Sequence, residues 1–351
     1  MSLPFPSGYN SPEMQVKDLG EFGIIDLLNR MVVQERRPDL SGGHGAPFGF
    51  RLLVDTGDDT AAWRAGPATE LFTTDTVVEE VHFTRQTTPW RDLGWKSLAA
   101  SISDIAAMGG LPLYALVTLG LPPDTLVADI KELYRGMLYI GNRYGVGIVG
   151  GDMVRSPVVF ITVALTGLRA GTPLLRSTAR PGDKIGVTGY MGSSGGGLKL
   201  LQEDTPATAP AAEYLRQAHR RPEPAVAAGQ TLAGAGVVTA MDVSDGLADD
   251  LSKLCLASQV SARIFARQVP VHPWLRETFP QEYLDLALYG GEDYQLLFTA
   301  SSEIMGQVMP RLPEGSAVIG EITPGPPGRV TTVDSSGAEA IVGRAGWDHF
   351  T

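Results

Sequence analysis

From Glu21 onward, apolar residues at Phe22, Ile24, Ile25, Leu27, Leu28 and Met31 recur with a helical period, predicting an amphipathic helix to about Val33. A polar, Gly-rich connection from Arg36 to Gly49 reads as a surface loop. Phe50–Val54 predicts a short strand that delivers the turn Gly57-Asp58-Asp59-Thr60. Leu71–Val78, rich in Thr and Val, predicts another. Alternation along it sets Thr73, Asp75 and Val77 on one side and Thr74 on the other. Gly94–Met108 has helical spacing and is stopped by Gly109-Gly110. Leu98, Ile102 and Ile105 form its core stripe, whereas Ser97, Ala100, Ser101 and Asp104 share another face. A solvated face would carry Lys, Glu and Gln. This one is small, polar and ends in a carboxylate, which lets a bulky anion approach with its metal.

Pro112–Leu121 predicts a strand, and Thr125–Tyr144 a helix with Leu126, Ile130, Leu133, Met137 and Ile140 inward. Gly147–Val149 reads as a buried strand ending in Gly150-Gly151-Asp152, followed by a strand over Val158–Leu165. The Gly-, Pro- and Thr-rich stretch Ala170–Asp183 is the expected domain boundary. The second half restarts with strand Lys184–Thr188 and a glycine-rich turn, Gly189 to Gly197, opening a helix at about Leu198. Ala207–Ala212 reads as a linker, Pro224–Ala233 as a helix, and Val237–Met241 as a strand ending on Asp242. Leu247, Leu251 and Leu254 mark a helix with Asp245 at its start; the turn Gly290-Gly291-Glu292-Asp293-Tyr294 then leads into a strand over Gln295–Thr299. Strands and helices mix in both halves without strict βαβ alternation. The expected class is therefore α+β in two domains: a lead-in over 1–19, an N-terminal domain over 20–170 and a C-terminal domain over 171–351.

Composition narrows the chemistry. The 351 residues carry a net charge of −11, and Lys and Arg never form a run. A nucleic-acid groove needs a basic face, so that class is set aside. Phosphate ligands remain, because divalent cations can supply the positive charge that Lys and Arg do not. A single cysteine, Cys255, forbids an intrachain disulfide, and no apolar run spans a bilayer. No signal peptide is visible, so the expected location is the cytoplasm.

The familiar nucleotide motifs are absent. Gly94-Trp95-Lys96-Ser97 lacks the loop and spacing of a P-loop, and the glycines from Gly192 to Gly197 miss the G-x-G-x-x-G spacing. That turn reads as a packing device, with an anion at the helix N-terminus left open. The five histidines show no zinc spacing. What recurs instead is carboxylates in Gly/Asp turns, at strand ends or on the small-residue helix face: Asp58-Asp59, Asp75, Asp104, Asp152, Asp242, Asp245 and Glu292-Asp293. One such residue is ordinarily a turn or cap. Five or six in similar settings suit a hard, oxygen-loving cation such as Mg²⁺ or Mn²⁺.

Taken in order, these segments resemble the thiamine-monophosphate kinases, within the larger ATP-binding group named for aminoimidazole ribonucleotide synthetase. The resemblance rests on Gly57-Asp58-Asp59, Thr73-Thr74-Asp75 with His82-Phe83, Lys96-Ser97-Leu98 through Met108-Gly109, Gly150-Gly151-Asp152, Asp242 through Leu247, and Gly290 through Tyr294. It implies transfer of the γ-phosphoryl of ATP to thiamine monophosphate, directly and in line, with several Mg²⁺ ions and room for a monovalent cation such as K⁺. The implied metal shell is Asp59, Thr73, Thr74, Asp75, Asp104, Asp152, Asp242 and Asp245, with Asp75, Asp104 and Asp242 catalytic through metal. Tyr134, Gly151, Asp152, Arg176 and Ser244 would meet ATP, while His82, Glu292 and Trp347 would meet the thiamine end. The fold implied is a homodimer whose N-terminal sheets pair into a barrel. Departures stand at Thr56, Met153 and Tyr289; Met153 replaces a small hydroxyl residue and removes one ligand oxygen. The rival readings are a related synthetase or selenide dikinase with another acceptor, and a non-catalytic nucleotide- or metal-binding module.

Overall fold

The computed structural model describes residues 51–54, 58–65, 68–334 and 336–342. The helix expected after Glu21, the loop to Gly49, Gly57 and Trp347 lie outside them.

Two antiparallel-rich sheets organise the chain. The first has the order β1 (Arg51–Val54), β2 (Ala61–Ala65), β3 (Ala68–Val78), β6 (Phe160–Arg169), β4 (Leu111–Leu121) and β5 (Gly147–Arg155). Only its β4–β5 pair is parallel. A parallel neighbour needs a crossover, and helix α2 (Val127–Tyr144) provides it. The strand expected to stop at Val149 runs on to Arg155 and is exposed, because it is the sheet edge. Gly151 makes this pairing possible: a Cβ there would stand 1.9 Å from the Val117 carbonyl oxygen.

The second sheet runs β13 (Glu339–Ile341), β12 (Val330–Val333), β9 (Ser261–Phe265), β11 (Ala317–Thr323), β7 (Lys184–Val187), β10 (Leu296–Ala300) and β8 (Thr239–Asp242). Helices α3 (Ser193–Gln202), α4 (Ala209–Arg220), α5 (Val226–Gly234) and α6 (Leu247–Ala257) belong to this half. The linker expected at Ala207–Ala212 is the start of α4. Its Thr208 side chain accepts from the Ala211 N–H, and Pro210 sits in the first turn, both helix-start signals.

Helix α1 (Trp90–Ala107) lies between the two halves. It packs on β3 and β6 of the first sheet, and on α5 and β8 of the second half. One core takes in Leu98, Ile102 and Ile105 together with Ala240, Leu296 and Phe298. The helix starts four residues before the expected Gly94. From Asp92 to Ala107 every residue is buried except Asp104, which keeps an opening to solvent. Close contact with α2 requires two glycines: a Cβ on Gly94 would lie 1.9 Å from the Leu133 carbonyl, and one on Gly136 1.9 Å from that of Arg91. The N-terminal end is tied to the second half, with the Trp95 indole donating to the Pro222 carbonyl (2.6 Å) and Arg221 paired with Asp92 (2.5 Å).

The first sheet covers only one face. Phe72, Tyr114, Leu116, Val149 and Val154 are exposed on β3, β4 and β5. Among the described residues, no helix is long and apolar enough to cross a membrane.

Candidate active site

A turn, two strands and the C-terminal end of α1 deliver the acids. Asp59 follows β1, Asp75 lies in β3, Asp104 in the last turns of α1, and Asp242 ends β8. Carboxylate oxygens of Asp59, Asp104 and Asp242 all lie within 4.8 Å of one another. Asp75 adds its charge to theirs, acting directly on Asp104. Hydroxyls of α1 and β3 hold this group. Ser101 donates to Asp75 (2.7 Å), Ser103 to Asp242 (2.8 Å), and Thr73 to Asp104. The other predicted member of that helix face, Ser97, instead donates to the Leu93 carbonyl of its own helix (2.7 Å).

Electrostatically the cluster is overloaded. Burial, and then the neighbouring Asp75, Asp242 and Asp59 charges, push the Asp104 carboxyl well above the usual range. Asp242 is raised for the same reasons, and Asp75 is raised by burial. At an effective dielectric of about 20, two carboxylates this close repel by roughly 3–4 kcal/mol. Arg176 is the cation against them: its guanidinium pairs with Asp59 and approaches Asp58 at 3.5 Å. Asp58 accepts from the backbone N–H of Asp59 (3.0 Å) and of Arg176 (3.2 Å), so it braces the turn. Asp59 Oδ2 is buried without a hydrogen-bond partner among the described residues. An orphaned carboxylate oxygen beside two more carboxylates is a donor set that fits a hard cation.

The second half closes the site with two abutting turns. The Glu292 N–H donates to the Ser244 carbonyl (2.7 Å) and the Tyr294 N–H to that of Val243 (2.9 Å). Asp250 Oδ2 accepts from the N–H groups of Ser244 (2.9 Å), Asp245 (3.0 Å) and Gly246 (3.2 Å), fixing the first of these turns. Lys253 pairs with both Asp245 and Asp250. Neither Asp250 nor Lys253 was expected from the sequence; the signal available was the acid pair Asp249-Asp250 in the first turn of α6. Asp245 itself precedes the helix rather than lying in its first turn.

A second buried cluster, also unforeseen, lies nearer the start of α1. Lys96, 2% exposed, places its ammonium 2.7 Å from Glu292 Oε2 and 3.2 Å from His219 Nε2. His219 Nδ1 is 3.1 Å from the Ser194 hydroxyl. Burial, with Lys96 and Arg220 adding to it, lowers His219 to about 2 and keeps it neutral. Glu292 has a φ of 65°, rare for a side-chain-bearing residue.

Other predicted residues fall elsewhere. Thr74 is exposed on the opposite side of β3 from Thr73 and Asp75, as alternation implied. Asp152 is exposed on β5, in register through Thr118 and Thr162 with Thr76 rather than with Asp75, which places it on the outward face of the sheet. Tyr134 is half-buried against the first core. His82 Nδ1 accepts from the Val78 N–H (3.1 Å) within a turn. The anion left open at the glycine-rich helix N-terminus is internal: Asp293 accepts from the N–H groups of Gly192 (2.5 Å) and Ser194 (3.0 Å). Cys255 is buried in α6, with its thiol pushed up to about 12, unsuited to nucleophilic chemistry. A cavity of about 1240 Å³ beside α4 and α5 is lined by Tyr214, Trp274 and Asp293 but by none of Asp59, Asp75, Asp104 or Asp242.

Residues 57–168 match the AIR synthase related protein N-terminal domain, and residues 180–333 the corresponding C-terminal domain. A thiamine-monophosphate kinase of Synechococcus elongatus is 32% identical over 97% of this chain and 99% of its own length. The chain belongs to the thiamine-monophosphate kinase family. A second relative with that name, from Bacillus subtilis, is 40% identical over 71% of this chain and 78% of its own. Among solved structures, AaThiL complexed with AMPPCP and TMP superposes with a TM-score of 0.82 at 32% identity, covering 97% of this chain and all of that one. The α+β, two-part fold of the family is thus the fold of this chain.

Proposed function

We propose that the chain transfers the γ-phosphoryl group of ATP to thiamine monophosphate, giving thiamine diphosphate by direct in-line attack. The observation that carries this reading is the convergence of Asp59, Asp104 and Asp242 on one partly open point within a thiamine-monophosphate kinase chain. A phosphate-monoester oxygen is already anionic near neutral pH and needs no general base. Among the described residues no histidine joins Asp59, Asp104 and Asp242 in the acid cluster, consistent with that.

Asp59, Asp75, Asp104 and Asp242 are the residues that would hold magnesium, with Thr73 beside them. Bound there, the ions would offset the repulsion between nucleotide and acceptor phosphates and align them. Ser101 and Ser103 orient two of the carboxylates from one rigid helix, so the donor set is preorganised rather than gathered on binding. Arg176, in contact with Asp59, is the side chain within the cluster suited to an anionic nucleotide. Ser244, two residues after Asp242, stands in a turn fixed by Asp250. Glu292, with Trp347 beyond the described residues, is assigned to the cationic thiamine end.

The exposed apolar face of the first sheet supports a homodimer, in which a second copy covers Phe72, Tyr114, Leu116, Val149 and Val154. Asp152 stands on that same face, so its part in a site belongs to the assembled dimer.

ADP release in the presence of magnesium, measured across thiamine monophosphate, thiamine and aminoimidazole-pathway acceptors, tests the assignment. Turnover with thiamine monophosphate alone is the expected result. Turnover with another acceptor and none with thiamine monophosphate would overturn it.

A further inference from the structure

Lys96 and His219 have no part in the phosphoryl transfer described above, yet burying them is costly. An ammonium 2% exposed gives up its hydration, and a buried ion pair seldom repays that loss as stability. Lys96 reaches from α1 in the first half to Glu292 in the second, 196 positions later. The neutral ring of His219 fits this arrangement in one tautomer. Its Nε2 accepts from the ammonium, so the proton lies on Nδ1, which faces the Ser194 hydroxyl at 3.1 Å and Glu292 at 3.5 Å. Glu292 is thereby held from two sides. Its backbone is kept at positive φ by the Ser244 carbonyl, and its Oε2 is fixed by Lys96. The carboxylate stays 26% exposed, so it is presented rather than sealed.

We propose that Lys96 is a positioning residue for the acceptor substrate: through its ion pair it fixes the Glu292 carboxylate in the orientation that receives the cationic ring system. This rests on the assignment of Glu292 to the thiamine end. A device that only bound the halves together would not need a charge here, because an apolar side chain of the same length fills the same space. His219 completes the device by occupying the ammonium's second direction without adding a competing charge.

Lys96→Met, Glu292→Gln and the double variant test the proposal, with KM measured separately for thiamine monophosphate and ATP. Lys96→Met is expected to raise KM for thiamine monophosphate about tenfold or more, leave KM for ATP within about twofold, and melt no lower than the wild type. The double variant is expected to match Glu292→Gln alone within about twofold, since Lys96 acts through Glu292. Should Lys96→Met fail to fold, Lys96→Gln, which keeps a donor, carries the same expectation at about threefold. Equal effects on both substrates, or multiplying effects in the double variant, overturn the proposal. A wild type inactive on thiamine monophosphate indicts the functional assignment instead. In that event the ligand-free crystal structure of Lys96→Met decides: a displaced Glu292 carboxylate upholds the positioning role and an unmoved one ends it.

Discussion

Helix α1 carries two buried polar clusters about two turns apart, and they obey opposite rules. Around Lys96 the charges balance: one ammonium, one carboxylate and a histidine kept neutral. Around Asp104 they do not: Asp59, Asp75, Asp104 and Asp242 crowd together, against Arg176 at one side. A balanced cluster is complete as folded and does its work by holding still. An overloaded one is complete only when something positive arrives. On the function proposed above, the contrast separates a scaffold for recognition from a receptor for cations, on a single element.

The sharpest way to break this contrast is Asp104→Asn. Turnover is expected to fall by about 100-fold or more. In EDTA the same variant is expected to be more stable than wild type by on the order of 1–3 kcal/mol, because a repelling carboxylate is gone. Loss of activity with loss of stability would make Asp104 structural. Magnesium gives the next largest effect. At about 100 times its dissociation constant it should stabilise the wild type by roughly 2.7 kcal/mol per site, and Asp104→Asn by clearly less, in thermal melts.

The third test uses acidity. Burial raises the Asp293 carboxyl from 3.8 to about 7, despite its helix-capping N–H partners. The folded chain therefore keeps a proton that the unfolded chain releases near 3.8. Its stabilising share is full below that pH and is lost as pH climbs through about 7. Melts in EDTA between these limits should slope downward with pH for wild type and less steeply for Asp293→Asn. Parallel slopes would refute the assignment. The smallest expected effect separates neighbours: Asp58→Asn should reduce turnover by about tenfold at most, against about 100-fold for Asp59→Asn, since the first braces the turn that the second projects from.

Much of this was legible in the residues. Asp104 among small residues, Asp242 at the end of an apolar strand and the stop at Gly109 all pointed to their observed places. Ser103 was not seen as part of the site because a helix with one core stripe has one polar face. Here both sheets press on α1, so Ser101 answers to Asp75 and Ser103 to Asp242. Lys96 and His219 stand 123 positions apart and carry no local signal of their pairing; a lone Lys in a helix reads as solvated. At Ala207–Ala212 composition spoke for a linker, while the cap at Thr208 and Pro210 spoke for a helix, and the cap was the better guide. Gly150-Gly151 read as a strand end because glycine is poor in strands; the close approach to Val117 is what reverses that rule.

The position of α1 also sets a timetable. Ala107 leaves the ribosome roughly 190 residues before Phe298, which completes the core around the helix. At about 5–20 residues per second, the helix waits roughly 10–40 s with its second wall unmade. During synthesis, then, one flank of α1, with Ser103 among its residues, faces either water or a chaperone. Slowing elongation between codons 108 and 298 should lower the yield of active chain far more than slowing it before codon 90.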